Sequence, residues 1–518
     1  MALAQGTSDN TEPLPAKMGQ STPDLSGYSR VRIASLLNYI IFGCLALFAI
    51  SLPYSIKGAE RSWKLALVLW LVKLAVERAR PFKQPLAAPL IAFVVLSAIS
   101  TMLSPDPLLS WDRMKFVCLF LAGIVVAQNI QRLAQIRWLL ILLVLSGFTT
   151  TLFTGWQYTY GIGVLIKDFP MANLLGKAGV RPNQIITAVD GQKVHSPEDL
   201  VGRLRSLPPN TPIQIEYIPY LDSRPTTLTT TPEDFHHAGL GTPAMSLARG
   251  KPWRAQGTLG HYVVFAEMLM QLGCMAFALL LASERGQTLW KLVFAIAFAA
   301  ITAALLLTET RAAVGGLVIG CLIMLLLLEQ GRRRWFAVVA LVAILASATL
   351  WIQRTRGVQW VDRNDISTHF RVLMWEDGVR LVREHPWFGV GMESVRNHWL
   401  EWNIRGFIQY HVRSHFHSTF LQIAVERGIP ALLAWLWFCV AYIVLLVRLV
   451  ARLRAHSRFA CVISAGLLAA FVAFNFTSFF HYNLGEESLA MVLFFFYGLA
   501  MAIERITQPF ATESVPAA

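Results

Sequence analysis

Long apolar runs constrain this chain more than any other feature. They lie near residues 33–54, 62–76, 87–103, 114–128, 137–154, 259–283, 288–308, 312–328, 335–352, 429–450, 459–480 and 484–503. A run of about 20 such residues crosses a bilayer's hydrocarbon core, where only a helix or a closed barrel satisfies the backbone. Runs of this length predict an α-helical polytopic membrane protein with about 12 transmembrane helices. Composition agrees, with 55% hydrophobic residues and only 15% charged, against roughly a quarter charged in soluble domains.

A net charge of +14 invites a nucleic-acid reading, but the placement of the charge argues against it. Arg78, Arg80 and Lys83; Arg332, Arg333 and Arg334; and Arg448, Arg452, Arg454 and Arg458 sit in short clusters beside apolar runs. Cytoplasmic loops are marked in this way. With the N-terminus inside, the clusters after runs two, eight and ten fall in the cytoplasm, as does the Arg132/Arg137 stretch. Both termini are then expected in the cytoplasm. Cys44, Cys118, Cys274, Cys321, Cys439 and Cys461 all lie in or beside apolar runs without a CxxC pair, which predicts packing residues and no disulfide framework or zinc site. The first thirty residues are polar, with no early apolar core, so the first span is expected to be an uncleaved anchor.

The domain plan follows. It comprises a disordered cytoplasmic tail (1–30), five spans (31–155), a folded periplasmic module (156–232), a periplasmic linker with spans six to nine (233–352), a second periplasmic loop (353–428), spans ten to twelve (429–505) and a cytoplasmic tail (506–518). In the first module, strand-like runs at Ile185–Val189 and Ile213–Ile218 flank a helix-like run at Pro197–Ser206, and Asp190-Gly191 signals a tight turn. Gly161-Ile162-Gly163-Val164, Ala178-Gly179-Val180 and Val189-Asp190-Gly191-Gln192-Lys193-Val194 make this segment resemble a PDZ domain. The resemblance implies an inserted α+β domain whose peptide-binding loop is Gly161, Ile162, Gly163 and Val164. Pro182-Asn183-Gln184 departs from the usual Gly-Asp pair. In the second loop, Phe370, Leu373 or Met374, Val379 and Leu381 recur at helical spacing, predicting an amphipathic helix over 367–383 at the membrane surface, stopped at His385-Pro386.

There is no HExxH, Walker loop or GxSxG, so an intramembrane zinc protease is not indicated. Glu267 and Lys73 are the main ionisable groups within the spans, fewer than an ion-coupled transporter uses. The positive-inside rule leaves Arg254, Arg311 and Arg371 unexplained, because all three fall on the outer side. Guanidinium groups bind phosphate oxygens in pairs, so a cluster of them suits a lipid-linked pyrophosphate. An arginine beside a span also snorkels to lipid phosphates. His417 is a candidate base with an unperturbed pKa near neutrality, although a loop histidine is more often structural. His415 and His417, two apart and without a third ligand, form a weak metal signal.

Taken in order, several motifs resemble the O-antigen ligase and polymerase family. They are Ser104-Pro-Asp-Pro-Leu-Leu-Ser110, Arg254-Ala-Gln-Gly-Thr-Leu-Gly-His261, Thr308-Glu-Thr-Arg311, Arg371-Val-Leu-Met-Trp375, His385-Pro-Trp-Phe-Gly-Val-Gly391, His417-Ser-Thr-Phe-Leu421 and Glu426-Arg-Gly428. The resemblance implies a multi-pass enzyme of the bacterial inner membrane with a periplasmic active site. It would be an inverting glycosyltransferase with no cofactor and no metal, moving a glycan from undecaprenyl pyrophosphate to lipid A-core. By the same resemblance His417, Arg311 and Arg254 are catalytic, and Arg371, His415, His261 and Glu426 bind substrate. An O-antigen or exopolysaccharide polymerase, and a protein O-oligosaccharyltransferase, fit the same family. A polysaccharide or glycolipid transporter is the alternative from another class. Two features depart from the family plan: Ser418, where Asn is frequent, and the PDZ-like insertion, through which an envelope protein could be bound.

Overall fold

A computed structural model describes residues 25–78, 81–168, 184–206, 212–218, 226–230, 246–250, 254–284, 286–329, parts of 331–350, 366–410 and 415–508. Among the described residues, eight helices are long and apolar enough to cross a membrane, consistent with a multi-pass membrane protein. They are α1 (Leu25–Ser51, apolar from Arg32), α6 (Leu133–Tyr160), α8 (Tyr262–Ala282), α9 (Thr288–Leu307), α10 (Arg311–Leu328), α13 (Thr419–Leu453), α14 (Arg458–Thr477) and α15 (Glu487–Thr507).

The remaining apolar runs take other forms. Helix α2 (Ile56–Glu77) is long enough but carries Lys57, Glu60, Arg61, Lys64, Lys73 and Glu77, while α3 (Ala87–Met102) has 16 residues. The run at 114–128 is divided between α4 (Pro107–Val117) and α5 (Phe120–Asn129). The run at 335–352 is described only in part.

One continuous apolar core joins these helices, with α8, α14 and α15 buried along most of their length. Small residues permit the close approaches, as membrane helix packing requires. A Cβ on Gly316 would lie 2.4 Å from Met270 Sδ, and one on Gly320 2.7 Å from Cys274 Sγ. Helices α8, α10, α13 and α15 run in one direction, with α9 and α14 returning between them. Their loops therefore fall into two groups, one at each end of the bundle.

Between α6 and α8 the chain forms a separate antiparallel sheet with its own core of Val164, Ile166, Ile186, Val189, Val194, Leu200, Leu204, Ile213 and Ile215. The strands are β1 (Val164–Asp168), β2 (Ile185–Val189), β3 (Gln192–Lys193), β4 (Ile213–Ile218), β5 (Thr226–Thr230) and β6 (Ser246–Arg249), ordered β5-β4-β2-β1-β6 with β3 on β2. Helix α7 (Pro197–Ser206) packs beside β2 and β6. Asp190 and Gly191 both take positive φ, 48° and 72°, as a tight two-residue hairpin requires. Ala178-Gly179-Val180 and Pro182-Asn183 lie outside the described residues, so that part of the expected pattern is not described. Strand β1, which follows Gly161–Val164, is paired on both sides: Val164 faces Ile186 on β2 and Arg249 on β6. The Ile162 N–H donates to the Gly250 carbonyl at 2.5 Å, so the module leaves the sheet beside the point where it begins.

Candidate functional site

Three helix N-termini open toward one end of the bundle. Arg311 is the first residue of α10, reached through a turn at Thr308-Glu309-Thr310 in which Glu309 takes φ 51°. The Ala255 N–H donates to the Leu307 carbonyl at 3.0 Å, fastening the segment ahead of α8 to the end of α9. Arg254 is thereby carried beside that turn, with its guanidinium carbon 4.3 Å above the Tyr262 ring and its side chain buried. His261 caps the start of α8 and stacks on Tyr262 at 5.1 Å. Helix N-termini carry partial positive charge. Arg311 and Arg254 add their charges at these helix starts, beside Glu309 in the same turn.

The histidine turn opens α13. Ser418 caps that helix through its hydroxyl to the Leu421 N–H at 3.4 Å; the serine that departs from the expected asparagine thus has a cap's role. His417 takes φ 50°, and its backbone N–H donates to His415 Nδ1 at 3.1 Å. The two rings lie 4.4 Å apart, and Phe370 of α11 (Ile366–Glu384) meets His417 edge-on at 5.4 Å. His417 Nε2 is buried without a hydrogen-bond partner among the described residues. Burial, then the charges of Arg371, His481 and His261, push the His417 pKa down to about 3. His415 is lowered further by burial and by the same basic neighbours. Arg371 and His261 therefore act on the turn electrostatically.

Two residues that were not candidates complete this cluster. His481, between α14 and α15, packs edge-to-face on His415 at 5.4 Å, and its Nδ1 lies 3.0 Å from Glu267 Oε1. Burial lowers the pKa of His481, but the charge and hydrogen bond of Glu267 outweigh it, with Glu486 adding to the rise. Asn483 ties the neighbouring loop to α13, accepting from Thr419 Oγ1 at 2.8 Å and from Ser478 Oγ at 2.9 Å. Glu267 was visible in sequence as an acid within a span. His481 gave no such signal, because only the fold brings it to His415.

Glu426 does not touch His417. Its Oε1 accepts from the Glu393 N–H at 3.0 Å and from Gln422 Nε2 at 2.9 Å, while Gln422 Oε1 accepts the Phe416 N–H at 2.8 Å. Glu426 thus reaches the histidine turn through Gln422. Around it three sequence motifs interlock. The Val390 and Gly391 N–H groups donate to the Val425 and Glu426 carbonyls, each at 2.9 Å, and the Ile429 N–H donates to the Pro386 carbonyl at 2.8 Å. Gly389 and Gly428 allow this approach, at φ 65° and 82°. A Cβ on either would lie 2.4 or 2.2 Å from the facing carbonyl oxygen. Ser104 and Ser110 dock on the same loop, bonding Ser394 Oγ at 2.9 Å and the Met392 carbonyl at 3.0 Å.

The expected amphipathic helix is α11. It buries Met374 and Leu381 against Phe407, Phe416 and Val425, whereas Val379 faces outward. Asp377, also buried, accepts the Arg405 N–H and Nε at 2.8 Å each, clamping α11 to the short α12 (Arg405–Tyr410). Among the described residues, no group of three or more His, Cys, Asp or Glu side chains is placed to hold a metal.

The family model described as O-antigen ligase matches residues 294–436. That stretch runs from α9 into α13 and includes Arg311, Arg371, His415, His417 and Glu426. Arg254, His261, Glu267 and His481 lie outside it and reach the site only through the fold. No curated protein matches the chain.

Proposed function

Taking the O-antigen ligase family as premise, we propose that this membrane protein transfers a glycan from undecaprenyl pyrophosphate to the lipid A-core at the periplasmic face of the bacterial inner membrane. One observation carries the reading: among the described residues a buried His417 nitrogen has no hydrogen-bond partner, and the basic groups Arg371, His481 and His261 act on that ring. Arg311 and Arg254 would hold the pyrophosphate, and Arg371 would support donor or acceptor phosphates. The acceptor oxygen attacks the anomeric carbon from the face opposite the leaving group, inverting it. The bond from carbon to pyrophosphate oxygen breaks, and its electron pair leaves with the pyrophosphate. The acceptor's hydroxyl proton passes to His417 Nε2.

The depressed basicity of His417 fits this order of events. Burial lowers it most, and the part due to Arg371, His481 and His261 is what a phosphate bound beside Arg371 would offset, so the base gains strength when that phosphate is in place. The arginines supply the charge that a metal provides in other phosphate-leaving reactions, so the step is metal-independent.

The test is the lipopolysaccharide gel profile of cells lacking the protein, complemented with wild type or His417→Ala. Loss of core-attached polymer with accumulation of undecaprenyl-linked glycan supports ligation. Core bearing a single repeat instead marks a polymerase. A normal profile with altered glycoproteins marks a protein-directed transferase. A transporter requires charged groups deep within several spans, whereas Glu267 and Lys73 lie near helix ends.

The sheet module is proposed to be PDZ-like and to recruit an envelope protein by strand addition; a rigid lid beside the site is the second reading. Because β6 already pairs with β1, a peptide following Gly161–Val164 would have to displace it. Residues 163–249 can be excised where Ile162 meets Gly250 and replaced by a short linker. Retained turnover on purified substrates with lost activity in cells supports recruitment, and loss of both supports the lid.

A further inference from the structure

Glu267 is an acid in an otherwise apolar helix. It stands in the second turn of α8 and is 1% exposed, a setting that strongly disfavours a carboxylate without a partner. His481 supplies the partner, with Nδ1 3.0 Å from Glu267 Oε1. The His481 ring meets His415 at 5.4 Å, and His415 meets His417 at 4.4 Å. Three separate elements thus build one line of contacts from the helix interior to the His417 ring.

Hydrogen bonding fixes the roles along that line. His415 Nδ1 accepts the His417 backbone N–H, so that nitrogen carries no proton and the neutral ring keeps its proton on Nε2. The same bond supports His417 in the left-handed conformation, which side-chain-bearing residues seldom adopt. His415 is therefore a strut. His481 faces a carboxylate, which favours the charged form of that ring. The groups acting on His417 are all basic: Arg371 from α11, His261 from the start of α8, and His481. On His481 they are Glu267, Glu486 and Arg371. When His417 gains a proton, Glu267 is the acid nearest to it along the line of contacts.

We propose that Glu267 and His481 are a positioning pair for His417, an ion-paired clamp that braces the His415–His417 turn. The inference rests on His417 being the base. No proton travels along the line, because His415 Nδ1 is occupied by the backbone.

The full-length chain in lipid nanodiscs with 15N-labelled histidine provides the test. At pH 7 the His481 signals, assigned by their loss in His481→Gln, show both ring nitrogens protonated, and His415 is neutral with its proton on Nε2. Glu267→Gln keeps the shape and an accepting oxygen, yet turns His481 neutral. With lipid-linked glycan from the producing cells as donor and rough lipopolysaccharide as acceptor, Glu267→Gln lowers kcat about tenfold or more and leaves the donor KM unchanged. His481→Gln does the same, and the double variant is no worse than the weaker single one, as members of one unit are not additive. A structural role alone would be satisfied by glutamine. A neutral His481 in the wild type overturns the pair, as does Glu267→Gln within about twofold of wild-type kcat beside an inactive His417→Ala. Should His417→Ala itself keep its kcat, the base assignment fails and the pair falls with it.

Discussion

The two ends of the helix bundle use arginine in opposite ways. At the end away from the site, Arg458 donates to the Leu281 carbonyl at 3.1 Å and Arg505 to the Gln128 carbonyl at 3.2 Å, near the C-termini of α8 and α5. Arg454 caps Leu327 of α10 in the same manner at 2.5 Å, and Arg452 pairs with Glu504 at 2.6 Å. Each of these cations satisfies an orphaned carbonyl or an acid; Arg458 begins α14, yet its guanidinium reaches across to the C-terminus of α8. At the site end, Arg311 begins a helix and Arg254 lies just ahead of one. A cation at a helix N-terminus is unfavourable by about 0.3–1 kcal/mol. At one end the arginines close the C-termini of neighbouring helices; at the other, by the function proposed above, they meet an anionic substrate.

Arg311→Ala should separate the two most sharply. Removal of one group that stabilises developing charge costs about 10²–10³ in kcat, while the melting temperature should change by much less than that loss implies. A fall in both together would make Arg311 a structural residue. The interlock beneath the site gives the next largest effect. Gly428→Ala forces a strained φ against the Trp387 carbonyl and should destabilise by at least about 1–3 kcal/mol, read as a lower melting temperature and reduced yield. Arg505→Ala, at the far end, should cost about 1–2 kcal/mol of stability for its lost carbonyl bonds, with kcat per folded molecule unchanged; a loss of kcat would erase the contrast between the ends.

The smallest effect is in pH. His417 and His415 are held below their ordinary pKa in the folded state, so the unfolded chain binds more protons below about pH 6.5. Their contribution is full above that pH and is lost as pH falls toward 3. His481, raised by Glu267, works in the opposite direction and is one group against two. The melting temperature should therefore decline on acidification from pH 7 to 5, while kcat at saturating donor changes little over the same range.

Much of this architecture was legible in the sequence, because a bilayer leaves the backbone few choices. Apolar runs located the eight helices long and apolar enough to cross a membrane among the described residues, and the positive-inside rule singled out Arg254, Arg311 and Arg371 as candidates. The match over residues 294–436 agrees with the family resemblance drawn from ordered motifs. Other parts were hidden for physical reasons. The 114–128 run reads as one span, yet it divides at Cys118-Leu119, a break that hydropathy does not register. Glu426 reaches the histidine turn through Gln422, a link that no local pattern in the sequence announces. His481 lies more than sixty residues from His417 in the chain, and no local pattern links them. The glycines at 389 and 428 are explained by close backbone contact with a neighbouring loop, and Gly391 by the Ser104 and Ser110 side chains against it, a matter of packing more than chemistry.

The most direct test of the central claim is transfer by the purified chain carrying His417→Ala, measured beside binding of the lipid-linked donor extracted from the producing cells. The account predicts donor binding equal to wild type and transfer reduced by about 10²–10⁴, the range a general base supplies. Transfer within about tenfold of wild type would contradict it and remove His417 from the chemistry.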